Sequence, residues 1–154
     1  LAIGGDRPLF YRTRYETIIA VNVGGCVIPT LIAVVQIIFV TRSGSGSVGA
    51  MAAVALINIA VCYRIARPVE GIGIMMPGFV SPLVSVGLTW LLLSPTSPDR
   101  VSVAFVSGVL GPLIGADLLH LKDITRVSAG MMSIGGAGTF DGIVLSGILA
   151  ALLA

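Results

Sequence analysis

Charge is scarce in this sequence. Nine Lys and Arg and seven Asp and Glu make up 10% of the 154 residues, against roughly 25% in a soluble domain, so there are too few ionised side chains to coat a globule in water. Cysteine occurs twice and histidine once, which excludes a disulfide-stapled secreted module and leaves little material for a metal centre. A net charge of +2 supplies no basic patch of the kind that nucleic acid requires. What the sequence has in abundance is aliphatic side chain. Its 56% hydrophobic content and mean hydropathy of +1.06 exceed what one small core can hide, and the excess is expected to face lipid.

The apolar residues fall into long runs separated by short polar breaks. Thr17 to Val40 carries no charge over 24 residues, about 36 Å as a helix, long enough to span a bilayer and too long for a cleaved signal core. The serine–glycine loop Arg42 to Ser47 follows, and Val48 to Tyr63 reads as a second span. Ile72 to Ser94 is the third, interrupted by Pro77-Gly78 and Pro82, so it is expected to be kinked or broken. Val101 to Leu121 forms a fourth, Lys122 to Gly138 a polar, glycine-rich connection, and Phe140 to Ala154 a fifth. The reading is an all-α integral membrane protein of about five transmembrane helices, a single domain over 1–154. The start at Leu1 and the apolar end leave room for further chain on both sides. Seven Lys and Arg lie in the N-terminal segment and in alternate loops, against Arg42 and Arg100 on the other side, which places the N-terminus in the cytoplasm.

Helix breakers and polar groups share the cytoplasmic half, a distribution that suits an inward-opening, water-lined cavity. Small residues repeat at four-residue spacing: Gly111 with Gly115, Ala20 with Gly24, Gly49 with Ala53 and Gly147 with Ala151. Such pairs let helix backbones approach closely, and Gly24, Gly111, Gly115 and Gly147 are the expected packing positions. Asp117 and Asp141 sit at membrane depth at the same end of an antiparallel helix pair. If their carboxyls met they would share a proton and could activate water for peptide hydrolysis. In structural roles, Asp141 complements the positive end of the fifth helix after Thr139, and Asp117 pairs with Lys122 or Arg126. His120 lies three residues after Asp117 and three before Asp123, one helical face that invites a metal, haem or chlorophyll-type pigment. A hydrogen bond to an adjacent loop uses that histidine equally well, so no cofactor or metal is expected.

The blocks VNVGGCVIP (Val21 to Pro29), PGFVSPLV (Pro77 to Val84), GPLIGADLLHL (Gly111 to Leu121) and SIGGAGTFDGIVLSGILA (Ser133 to Ala150) resemble the prokaryotic membrane family catalogued as domain of unknown function 1614. That resemblance implies a multi-pass protein of the prokaryotic inner membrane and no particular chemistry. Asp117 and Asp141 are also distantly similar to the aspartate pair of presenilin-like intramembrane proteases. Thr139 and Phe140, however, separate Gly138 from Asp141, and Ala116 stands where those enzymes carry tyrosine. The expected function is therefore a non-enzymatic, helix-packing subunit that meets lipid and other membrane subunits, or copies of itself, and no nucleic acid. An aspartyl protease using Asp117 and Asp141 is the alternative. A transporter or channel component with a proton-coupled Asp117 is a further one.

Overall fold

The computed structural model describes residues 18–69, 73–124, 131–136 and 142–154. In chain order these form β1 (Ile18–Val21), a π-helical turn (Val23–Val27), α1 (Ile28–Arg42), α2 (Val48–Ile65), β2 (Arg67–Val69), β3 (Gly73–Met75) and α3 (Val80–Leu92). Then come α4 (Arg100–Leu110), a second π-helical segment (Gly111–Leu118), the short α5 (Leu121–Ile124), β4 (Met131–Ile134) and α6 (Gly142–Leu153). The architecture is that of a helical membrane protein. Val23–Arg42, Val48–Ile65 and Arg100–Asp123 are long and apolar enough to cross a bilayer, while Val80–Leu92 and Gly142–Leu153 are apolar but shorter.

Contacts at the two ends fix the up-and-down order. At one end Ser43, after α1, donates to Asp99, before α4, and Trp90, late in α3, donates its indole N–H to the Ala154 carbonyl. At the other end β1 pairs in parallel with β4, Ile18 opposite Met131 through Val21 opposite Ile134. Successive long helices therefore alternate in direction. The stretch Arg100–Asp123 runs through the middle, with 67% of its most apolar window buried against 22% for Val23–Arg42. Val103, Val106, Val109 and Leu113 from it pack with Ala33 and Val40 of α1, Met51 and Val54 of α2, and Ile143 of α6. Helix α1 meets this core along a narrow seam of Pro29, Ala33 and Val40, leaving Leu31, Val35 and Phe39 exposed.

The boundaries differ from the sequence reading in ways that proline and glycine explain. Thr17 to Val40 is not one helix: Ile18–Val21 is extended, and the α-helix starts only at Ile28. Pro29 in its first turn lacks the N–H that would extend the helix backwards in α geometry. The third run breaks at Pro77-Gly78, ahead of α3. Pro82 does not kink it, because it lies in the first turn, where its missing N–H has no intrahelical partner to lose. The connection after Lys122 contains β4, a strand hidden from a hydropathy reading. At the β1–β4 end the described residues form an apolar recess of about 300 Å³ lined by Val21, Cys26, Val27, Leu31, Leu113 and Ile134, among others.

Candidate functional site

Deep within the bundle, four helices turn polar side chains toward one another. Asn58 lies about 15 Å along α2 from Val48 and about 10 Å from Ile65, in the hydrocarbon region if α2 spans the membrane. Its Nδ2 lies 2.9 Å from Ser81 Oγ, from Ser85 Oγ and from the Ser107 carbonyl. Ser85 donates to Ser107 Oγ at 3.0 Å, and Ser107 to the Val54 carbonyl at 3.2 Å. From α6, Ser146 donates to Ser81 at 2.6 Å. The Cys62 thiol reaches Asn58 Oδ1 at 3.7 Å. Asn58, Ser81, Ser85, Ser107 and Ser146 are all fully buried.

The local chain explains why the cluster forms here. Pro112 has no N–H, so the Gly108 carbonyl four residues earlier loses its helical donor, and Ser81 Oγ supplies a replacement at 3.4 Å. Ser81, Ser85 and Thr89 recur every four residues on α3 and share its buried face. Glycine lets the backbones close around them. A Cβ on Gly111 would stand 2.3 Å from Asn58 Nδ2, and one on Gly115 would stand 2.4 Å from the Ile59 carbonyl oxygen. Across α4 and α6, a Cβ on Gly108 would meet Ser146 O at 2.9 Å and one on Gly147 would meet Val109 at 2.7 Å. The cluster is neutral, and nearly every proton in it has an acceptor. In lipid such bonds contribute about 0.6 kcal/mol each on average. Leaving a partner unmatched costs more.

The residues singled out from sequence fall at the β1–β4 end and within these helix contacts. Asp117 is half-buried in the second π-helical segment, whose wide winding shows in the bond from Leu119 N–H back five residues to the Ile114 carbonyl. Asp141 lies outside the described residues, so the separation of the two carboxyls does too. His120 is buried, with Nδ1 at 3.2 Å and 3.0 Å from the Gly115 and Ala116 carbonyls. That nitrogen must carry the proton, since carbonyls only accept. Its ring centre lies 4.8 Å from that of Tyr63. Among the described residues no three His, Cys, Asp or Glu gather as a metal site. Gly24 is exposed, and among the described residues a Cβ there would meet Asn22 Oδ1 at 3.5 Å and nothing closer. The close approach belongs to Gly25, whose backbone lies 2.6 Å from the Cβ position of Gly135.

Residues 3–153 match the family described as Protein of unknown function (DUF1614). The chain belongs to this family. No curated protein and no solved structure matches it. Family membership thus covers nearly the whole chain, including all four helices of the polar core, and assigns none of them a reaction.

Proposed function

We propose that this protein is a non-enzymatic helix-packing subunit, accessory to a larger complex in a prokaryotic inner membrane, with its N-terminus cytoplasmic. The observation that carries this reading is the uncharged, fully buried cluster around Asn58, which joins α2, α3, α4 and α6 by side-chain hydrogen bonds. Gly111, Gly115 and Gly147 serve close packing around it, and α1, held by a narrow seam, turns its apolar outer face to lipid or a neighbouring subunit. Extracted gently from membranes, the protein should migrate as a discrete species well above the 15.7 kDa chain, and Val35→Trp on the exposed face of α1 should disperse it. Migration of the wild-type protein as a single chain would contradict the subunit role.

A second reading rests on Asp117. Long π-helical segments are rare and often mark functional sites, and this one presents a half-buried carboxylate. Under it, Asp117 and Asp141 form the shared-proton pair of an intramembrane protease. Cleavage of a transmembrane peptide by purified protein, lost equally in Asp117→Asn and Asp141→Asn, would select this reading over the first. An intact peptide favours the subunit.

A further inference from the structure

The loop between α1 and α2 reads Ser43-Gly44-Ser45-Gly46-Ser47. Gly44 and Gly46 adopt φ of +67° and +76°, left-handed values that suit glycine, and the loop they shape gathers serine hydroxyls around Asp99 from the α3–α4 connection. Asp99 occupies the position before α4, yet its side chain makes no capping bond to that helix. It is fully buried. Its Oδ2 meets Ser43 Oγ at 3.3 Å and also Ser45 Oγ, while its Oδ1 has no hydrogen-bond partner among the described residues. Nor does the adjacent Arg100 neutralise it: that guanidinium carbon lies over the Trp90 ring, 5.2 Å from its centre.

The protons in this cluster do not suffice for its contacts. Ser43 Oγ lies 2.8 Å from the Val40 carbonyl and 3.0 Å from Ser45 Oγ besides its approach to Asp99. Ser45 Oγ lies 2.9 Å from Ser47 Oγ as well as against Asp99. Carbonyls and carboxylates bring no hydrogen, and each serine brings one. Three protons therefore serve five oxygen–oxygen approaches, and at least two of these bring lone pair against lone pair. The Asn58 cluster, built from similar groups, has almost as many protons as contacts. A cation among the oxygens turns that repulsion into coordination, and it also supplies the missing partner of a buried carboxylate.

We infer that Asp99, Ser43, Ser45 and Ser47 form a binding site for one monovalent hard cation of the sodium type, at the end of the bundle opposite the β1–β4 pair. Oxygen donors select hard cations, and a single carboxylate balances a single positive charge, whereas calcium sites gather several acidic ligands and magnesium keeps most of its water. The bound ion ties the α1–α2 loop to the start of α4.

Equilibrium binding of radioactive sodium to the full chain in detergent micelles tests this directly. Saturable binding of about one ion per chain is expected, lost in Asp99→Asn and weakened roughly tenfold in Ser47→Ala. The thermal unfolding midpoint should rise with sodium chloride and not with choline chloride at equal ionic strength. Absence of saturable binding in the wild-type protein, or equal binding in Asp99→Asn, overturns the assignment. So does stabilisation by calcium or magnesium alone. If Asp99→Asn fails to fold, Ser43→Ala and Ser47→Ala, checked by circular dichroism, decide it: unchanged affinity in both removes the serines from the site.

Discussion

Asn58 brings two amide protons to three acceptors, all at 2.9 Å, so its bonds are shared and each depends on the position of the others. Asn58→Ala removes the donors and leaves Ser81 and Ser85 to rearrange in a buried site. It should lower stability by about 1–2 kcal/mol, readable as an earlier midpoint in a denaturing-detergent titration. Asp99 adds a pH dependence at the opposite-facing loops. Hydrogen bonding, chiefly from Ser45, holds its carboxyl in the folded protein below the ordinary carboxylate value, so its stabilising effect is complete above that ordinary value and disappears as pH falls through the lower folded one. Unfolding followed from pH 7 into acid should show a loss of stability that Asp99→Asn lacks. Such residues were only partly visible in the sequence. A charge at membrane depth stands out because it is expensive, which drew attention to Asp117 and Asp141. Asn58 and the serines stand out far less within apolar runs, although Ser81, Ser85 and Thr89 at four-residue spacing already mark one helix face.

At the scale of elements, proline has opposite consequences at two positions. Pro82 falls in the first turn of α3 and disturbs nothing, whereas Pro112 opens the Gly108 carbonyl for Ser81 and begins the π-helical segment that carries Asp117. Hydropathy sees both only as interruptions. It missed the strands for a different reason: Ile18–Val21 is as apolar as a helix start, and its partner is distant in sequence. The register of that pair is checkable. With Cys26 and Cys62 replaced by alanine, Ala20→Cys together with Ser133→Cys should form a disulfide under mild oxidation, because the two positions are direct partners in the β1–β4 pair. A double variant at Ala20 and Gly136, beyond the strand, should cross-link less. Equal yields would disprove the register.

For the whole molecule, alternating helix direction was the most legible property, since apolar run lengths and polar breaks encode it with little help from side-chain detail. The contacts of Ser43 with Asp99 and of Trp90 with Ala154 place both predicted outer loops and the end of α6 together. The proposed sidedness rests on the charge bias alone. Cysteine introduced at Thr96 should therefore label with an impermeant maleimide in intact cells, and cysteine introduced at Val127 only after permeabilisation. Labelling of both without permeabilisation would refute the five-span order. The β1–β4 pair also bears on how the protein is made. The first strand emerges about 110 residues ahead of its partner, which at ribosomal speeds is roughly 5 to 20 seconds. Throughout that interval β1 has an unmatched backbone edge. A strand made early is thus completed by one made much later, and a nascent chain halted before Met131 keeps the β1 edge open.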